Sequence, residues 1–138
     1  MPLTTGFDHV ATLTTDLDRF TAWYGKVFDA TVLAEMEARA DHPRMAIVDL
    51  GGGSALNVFE VEEASIVGDR RAIGRRGAID HFGISVPDRA TLEQVQDRLV
   101  GVGAEIGEIQ SLGDTTWSLF FRDVDGMELE VCAPVATS

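Results

Sequence analysis

An aspartate-histidine step occurs twice in this chain, and this repeat constrains the fold more than any other feature. Phe7-Asp8-His9-Val10 returns as Ile79-Asp80-His81-Phe82, 72 positions later, and the same offset carries Asp16 onto Asp88. Self-similarity at a fixed spacing indicates a duplicated supersecondary unit. The sequence therefore predicts two equivalent halves, each opened by an aspartate-histidine step.

Each half has the pattern of a strand, an amphipathic helix and several extended segments. Apolar residues at helical spacing are Leu17, Phe20, Tyr24 and Val27 in the first half and Leu92, Val95, Leu99 and Val102 in the second. Thr91 and Gln94 fit a capping box at the start of the second helix. Strand-like runs cover 45–50, 55–61, 117–122 and 127–132. The last two are joined by Asp123-Val124-Asp125-Gly126, which predicts a tight hairpin.

With 138 residues, the chain has the length of one domain, 1–138, made of two fused modules. We place module 1 at about 1–65, a glycine-rich linker at about 66–77 and module 2 at about 78–138. No apolar run approaches the roughly 20 residues that span a bilayer, and the amino terminus does not resemble a signal peptide. The single cysteine, Cys132, fits a reducing compartment, so we expect a cytoplasmic protein.

The net charge of −12 argues against binding to nucleic acid or to an anionic membrane surface, since both would be repelled. Four arginines oppose this balance locally and lie in the linker: Arg70, Arg71, Arg75 and Arg76. Two interpretations remain open for this cluster. It is either an exposed linker that balances nearby acidic residues or an anion clamp over a substrate.

Strand geometry predicts a metal site. His9 and His81 hold equivalent places on equivalent strands, so their imidazoles converge if the modules pack with twofold pseudosymmetry. On the last strand, alternation places Glu128, Glu130 and Cys132 on one face. Two imidazoles and one carboxylate suit a divalent transition metal and leave coordination positions open.

These residues resemble the vicinal oxygen chelate superfamily, which includes glyoxalase I, extradiol dioxygenases, methylmalonyl-CoA epimerase, fosfomycin-resistance enzymes and bleomycin-binding proteins. The resemblance covers nearly the whole chain. It rests on Phe7-Asp8-His9, on Trp23-Tyr24-Gly25-Lys26-Val27-Phe28, on Asp80-His81 and on the closing segment 123–130. It implies an α+β fold in which two tandem βαβββ modules form a curved mixed-sheet cup, with the helices on the outer face.

The resemblance also implies the metal ligands. It maps them to His9, His81 and Glu130, with Glu130 four residues after the glycine of the closing motif. A fourth ligand position in glyoxalase I and the epimerase falls at Asn57 by the internal repeat, and asparagine is a poor ligand for a transition metal. A three-ligand site follows. Extradiol dioxygenases imply further histidine and tyrosine residues near the substrate, for which only His42 and Tyr24 are left.

The function expected from this resemblance is that of a metal-dependent enzyme. One divalent ion (Fe, Mn, Ni, Zn or Co) would be chelated by two neighbouring oxygens of a small-molecule substrate, leading to lyase, isomerase or ring-cleaving dioxygenase chemistry. The alternative is a metal-free protein that sequesters a ligand, as bleomycin-binding proteins do. Glu128 is a candidate general base, and the candidate substrate contacts are Asn57, Trp117, Phe121 and Arg122. Short chains of the family usually form homodimers, and some build each site from both partners.

Overall fold

The chain folds into two compact units, the first from Met1 to Ile66 and the second from Val67 onward. The computed structural model describes residues 1–136. The first unit contains β1 (His9–Thr14), α1 (Leu17–Phe28), β2 (Thr31–Met36), β3 (Met45–Gly51) and β4 (Ser54–Glu60), then one 3-10 turn at Glu63–Ser65. The second contains β5 (Phe82–Ser85), α2 (Arg89–Gly101), β6 (Gln110–Leu112), β7 (Thr116–Arg122) and β8 (Glu128–Pro134). The predicted α+β fold of two tandem βαβββ modules is confirmed.

The two sheets have the same strand order, as a duplicated unit requires. It is β1-β4-β3-β2 in the first unit and β5-β8-β7-β6 in the second. In each sheet the first strand pairs in parallel with the last one, and the remaining pairs are antiparallel. The helix of each unit packs on one face of its own sheet. Among residues 1–136, no helix is long and apolar enough to cross a membrane.

The first helix follows the predicted stripe. Asp16 caps its amino end by accepting a hydrogen bond from the Arg19 amide at 3.0 Å. The four stripe residues, Leu17, Phe20, Tyr24 and Val27, are all buried. The Tyr24 ring stacks on Phe20 with a centroid separation of 4.4 Å. Tyr24 is therefore a core residue.

The second helix begins three residues earlier than the capping box predicts, so that prediction is wrong. Asp88 is the cap, and its carboxylate accepts from the Thr91 amide at 2.8 Å and from the Thr91 hydroxyl at 2.7 Å. Thr91 thus occupies the third helical position and donates to the cap. A carboxylate is the stronger acceptor for these unpaired amides, and Arg89 and Ala90 are good helix formers. The two caps, Asp16 and Asp88, are the pair that the internal repeat relates.

The glycine-rich segment 67–77 belongs to the second unit. It closes on itself through a hydrogen bond from the Asp69 amide to the Arg75 carbonyl oxygen at 2.7 Å. Gly68 has a φ of +95°, and a Cβ there would lie 2.5 Å from the same oxygen. Glycine is therefore required at this position, because the two parts of the loop are too close for a side chain.

Candidate metal centre

The candidate centre in the second unit lies on the sheet face opposite α2, which we call the open face. On β8 the helix-facing residues Leu129 and Val131 are fully buried, whereas Glu128, Glu130 and Cys132 are partly exposed. This is the alternation that the sequence predicts for the last strand. Both carboxylates and the thiol therefore share the open face.

Strand pairing decides which residues of β7 share the open face. Phe120 lies opposite Glu130, and Arg122 lies opposite Glu128. Two of the expected substrate contacts, Trp117 and Phe121, lie on the other face, opposite Ala133 and Leu129. Phe121 is buried, and the Trp117 ring lies 4.3 Å from the Arg89 guanidinium carbon at the start of α2. These two side chains belong to the helix-facing side, a correction that follows from the β7–β8 register.

His81 lies directly before β5 and points its imidazole toward Glu130. Its Nδ1 is 2.8 Å from Asp80 Oδ2, and its Nε2 is 3.7 Å from Glu130 Oε2. The Phe120 ring packs edge-on against the imidazole, with 5.2 Å between centroids. Sequence analysis missed Phe120, because adjacent phenylalanines at 120 and 121 do not reveal which of them faces the site. The signal that identifies it is its pairing with Glu130.

Glu130 is held from its other side by a thiol. The Cys132 Sγ–H donates to Glu130 Oε1 at 2.8 Å, while Oε2 is the oxygen that faces His81. Burial raises the pKa of Cys132 to about 12, and the hydrogen bond and negative charge of Glu130 act in the same direction. The thiol is therefore a protonated donor that orients the carboxylate.

In the first unit, His9 repeats the local arrangement of His81. It opens β1, and its Nδ1 lies 2.8 Å from Asp8 Oδ1. In both units the aspartate thus takes the Nδ1 side of the ring and leaves Nε2 to other partners. His9 lies opposite Ala55 in the β1–β4 register, on the same sheet face as Asn57.

The register also shows that Asn57 and Glu130 are equivalent positions. Asn57 pairs with Ala11 in the first unit, and Glu130 pairs with Gly83 in the second. Ala11 and Gly83 lie 72 positions apart, which is the spacing of the two histidines. The two units therefore differ at this position, as the sequence predicts: the first unit has an amide where the second has a carboxylate.

Glu128, the expected general base, is engaged by an arginine. Its Oε2 accepts from Arg76 Nη2 at 2.5 Å, and the Arg76 side chain is only 1% exposed. The exposed-linker interpretation is thus wrong for Arg76, which is buried among acidic partners. Arg71 of the same cluster is exposed and pairs with Glu105 at 2.7 Å. Neither guanidinium is presented as a clamp for an external anion.

Arg122 lies on the open face, as a substrate contact requires, but its donors are used within the unit. Nη1 donates to the Gly126 carbonyl oxygen and Nη2 to that of Arg71, both at 3.2 Å. Its Nε lies 3.4 Å from Glu105. These contacts hold the hairpin between β7 and β8 against the segment that precedes β5.

Neither unit contains a complete metal site within residues 1–136. In this range no group of three or more histidine, cysteine, aspartate or glutamate side chains is placed to hold an ion. Of the three ligands that the family resemblance implies, His81 and Glu130 lie in the second unit and His9 lies in the first.

Comparison with known proteins identifies the fold. A model of the Glyoxalase/Bleomycin resistance protein/Dioxygenase superfamily matches residues 6–131. A glyoxylase/bleomycin resistance protein/dioxygenase domain from Frankia sp. EAN1pec is 28% identical, with 96% of this chain and 99% of that chain covered and a TM-score of 0.77. A search of curated proteins found no match.

Two more distant structures share the fold. Lactoylglutathione lyase from Agrobacterium tumefaciens is 21% identical, with 96% of each chain covered and a TM-score of 0.66. A variant of the fosfomycin resistance protein FosX from Listeria monocytogenes is 15% identical, with 94% of this chain and 92% of that chain covered and a TM-score of 0.70. The FosX structure is a complex with Mn(II) and 1S,2S-dihydroxypropylphosphonic acid.

Proposed function

The chain belongs to the Glyoxalase/Bleomycin resistance protein/Dioxygenase superfamily, and from this premise we propose that it is a metal-dependent enzyme. Its substrate is a small molecule that presents two neighbouring oxygens. The observation that carries this proposal is the approach of His81 Nε2 to Glu130 Oε2 at 3.7 Å. An imidazole and a carboxylate are brought together on the face of the second sheet that lies opposite α2.

This pair fits a divalent transition metal. Metal bonds to histidine nitrogen and to carboxylate oxygen are roughly 2.0–2.2 Å long, so two atoms at this separation would both reach one ion. Asp80 accepts a hydrogen bond from His81 Nδ1, which leaves the lone pair of Nε2 for the ion. The Cys132 thiol holds Oε1 of Glu130, the oxygen that does not face His81. Both donors are therefore oriented before any ion arrives.

We assign the third ligand, His9, to a second copy of the chain. The His9 side chain is the most exposed of the three, 46% against 35% for His81 and 12% for Glu130, so it is available to a partner. The working form is then a homodimer. With Asn57 in the position equivalent to Glu130, the residues that would hold an ion are His9, His81 and Glu130, and the ion would supply Lewis-acid chemistry to a chelating substrate.

The open face also suggests how the substrate is received. Gly83, which lies opposite Glu130, has no side chain and leaves room beside the carboxylate. Phe120, on the other side of Glu130, offers an aromatic surface next to His81. A compact, partly apolar substrate with a chelating pair of oxygens fits these neighbours.

Lyase, isomerase or addition chemistry is favoured over oxidative ring cleavage. The resemblance to extradiol dioxygenases implies an additional histidine and tyrosine at the substrate. Here Tyr24 is fully buried, and His42 Nδ1 lies 2.7 Å from the Pro43 carbonyl oxygen while its ring packs near Phe59. Neither of these two side chains is presented as an acid or base.

Metal analysis of protein purified without a polyhistidine tag tests the proposal. Apo protein is titrated by calorimetry with Mn²⁺, Fe²⁺, Ni²⁺, Zn²⁺ and Co²⁺, and we expect one ion per chain for at least one of them. His81→Ala and Glu130→Ala each lower the affinity by at least roughly 100-fold, more than the loss of an outer partner would. His42→Ala, a histidine outside the proposed site, leaves the affinity unchanged.

A wild-type protein that binds none of the five ions would refute the metal-dependent enzyme. That result would favour the alternative, a metal-free protein that sequesters a small molecule. Equal loss of affinity in His42→Ala and His81→Ala would also count against the assigned ligands, because it would indicate nonspecific binding by histidine.

A further inference from the structure

We infer that Arg76 is a positioning residue that acts through Asp80 to hold the ring proton of neutral His81 on Nδ1 and to direct Nε2 at Glu130. The purpose of this role, which is metal binding, rests on the proposed function. The orientation of His81 itself is a property of the metal-free protein. No sequence motif indicates it. It follows from the way a buried guanidinium is connected to the two proposed ligands of the second unit.

The Arg76 side chain is almost completely buried, and its guanidinium donates hydrogen bonds in three directions. Its Nε donates to the Arg70 carbonyl oxygen at 2.6 Å, and its Nη1 donates to Asp80 Oδ1 at 2.6 Å. Its Nη2 donates to Glu128 Oε2. A planar guanidinium with bonds on three sides cannot rotate without breaking them, so its position is determined.

The next link is Asp80, whose two oxygens have different partners. Oδ1 accepts from Arg76, and Oδ2 lies 2.8 Å from His81 Nδ1. Because an ionised carboxylate only accepts hydrogen bonds, this contact requires the ring proton on Nδ1. The Nε2 of the neutral imidazole then carries a lone pair, and it is this atom that faces Glu130.

Arg76 reaches the second ligand through the other carboxylate. Glu128 lies on β8 two residues before Glu130, on the same sheet face. One guanidinium thus connects the residue that orients His81 with the strand that carries Glu130. Its position sets the relation between the two proposed ligands.

The first unit provides an internal comparison. Asp8 and His9 make the same 2.8 Å contact, but the Asp8 side chain is 91% exposed, against 39% for Asp80. In the part of the chain that the structure describes, Asp8 has no arginine partner, and the residue 72 positions before Arg76 is Thr4. The repeat therefore duplicates the aspartate-histidine step without the arginine, which is an addition of the second unit.

Nuclear magnetic resonance of the metal-free protein tests this role. Long-range ¹H–¹⁵N spectra at a pH where the rings are neutral report which nitrogen carries the proton. In the wild type we expect the His81 proton on Nδ1, with a smaller preference at His9. In Arg76→Met the His81 signals shift toward a mixture of both tautomers, because Asp80 is no longer held. The affinity for the metal falls by roughly 10- to 100-fold in the same variant.

The matched control is Arg71→Met, which removes another arginine of the same segment and breaks its ion pair with Glu105. We expect unchanged His81 signals and unchanged metal affinity. Arg76→Lys keeps the charge but loses the planar fork, so it should restore the tautomer only in part. If the role of Arg76 were purely structural, Arg76→Met would lower the melting temperature without moving the His81 signals.

Folded Arg76→Met protein with wild-type His81 signals would overturn the inference. If this variant does not fold, Asp80→Asn tests the same link, because an amide does not require the ring proton on Nδ1. Unchanged His81 signals in Asp80→Asn would also contradict the inference. The spectra require no metal. A tautomer shift without any metal binding would therefore refute the proposed function alone, and intact metal binding with unmoved signals would refute the role of Arg76 alone.

Discussion

At the scale of single residues, the second unit surrounds each proposed ligand with a dedicated partner. His81 has Asp80 on one side and the Phe120 ring on another, and Glu130 receives the Cys132 thiol. These contacts restrict rotation of both side chains, so less conformational entropy is lost when an ion binds. The partners, as much as the ligands, determine the properties of the site.

The Cys132 thiol should be unreactive in the folded protein. Because burial and Glu130 raise its pKa to about 12, very little of the thiol is ionised near neutral pH. We expect iodoacetamide to modify the folded protein far more slowly than protein unfolded in guanidinium chloride. Glu130→Gln should accelerate the reaction by removing the negative charge. Equal rates in folded and unfolded wild type would contradict this account.

Arg44 forms an ion-pair cluster in the first unit that predicts sensitivity to acid. It pairs with Asp18 at 2.7 Å, with Glu35 at 3.2 Å and with Glu60 at 3.5 Å. Glu60 also accepts from the Leu17 amide at the start of α1. The hydrogen bond from Arg44, reinforced by its charge, lowers the pKa of Asp18 from its usual value.

A lowered pKa in the folded state means that the unfolded state binds the proton more readily. The contribution of Asp18 to stability is therefore complete above about pH 4 and is lost as the pH falls through the folded pKa. We expect Asp18→Asn to reduce the fall in melting temperature between about pH 6 and about pH 3. The effect is small because Asp18 is exposed. Asp97→Asn, outside the cluster, serves as control, and an equal reduction there would argue against the pair.

At the scale of helices and strands, the repeat and the apolar periodicity predicted two similar halves, each with a strand, a helix and extended segments. They located the apolar stripe of α1 and, within one or two residues, β3, β4, β7 and β8. They did not locate the start of α2, because Thr91 fits the capping-box pattern although Asp88 is the residue that caps the helix. A local sequence pattern therefore predicts structure where residues close together in the chain determine it.

Residues whose role depends on contacts between distant segments could not be predicted in this way. Phe120 and Phe121 are equally apolar, and only the pairing of β7 with β8 assigns the first to Glu130 and the second to the core. Arg76 and Glu128 are 52 positions apart, and no periodicity connects a linker arginine to a strand carboxylate. The two candidate histidines came from the repeat and Glu130 from strand alternation and the family resemblance, whereas the partners of these residues required the fold.

The two faces of α2 predict a pair of substitutions with opposite outcomes. Leu99 is fully buried against the second sheet, and its neighbour Val100 is 62% exposed. Leu99→Ala should lower the free energy of unfolding by about 3 kcal/mol through lost burial and the cavity left behind. Val100→Ala should change it by less than about 0.5 kcal/mol. Urea denaturation followed by circular dichroism measures both, and similar losses would indicate that the helix packs on a different face.

At the scale of the whole molecule, the two units share a fold but present different surfaces. On the open face of the second unit, Glu130 is flanked by Cys132 and faces Phe120. The equivalent face of the first unit has Asn57 between Ala11 and Ile47. The two units thus differ at equivalent positions of this face, with an amide in the first and the carboxylate of a proposed ligand in the second. Neither unit by itself contains all three proposed ligands.

Edge strand β2 should contribute to a homodimer interface. All six of its residues are exposed, and Leu33 is 63% exposed beside the exposed Val32 and Met36. Such an apolar edge favours association. Light scattering should give about twice the chain mass of 14.9 kDa. Leu33→Glu should weaken the dimer by roughly 10- to 100-fold, while Val100→Glu on α2 should not. A wild type that is monomeric at all concentrations would contradict the homodimer.

Subunit exchange tests whether His9 joins the His81 and Glu130 of another copy. His9→Ala and Glu130→Ala homodimers should each lack every complete site. After exchange, half of the dimers are mixed, and each mixed dimer contains one site with an intact His9 from one chain and an intact Glu130 from the other. We therefore expect about one quarter of the wild-type metal content to return. Mass spectrometry under native conditions verifies the exchange. Mixed dimers without recovered metal would assign all three ligands to one chain, because each chain would then still carry its own defect.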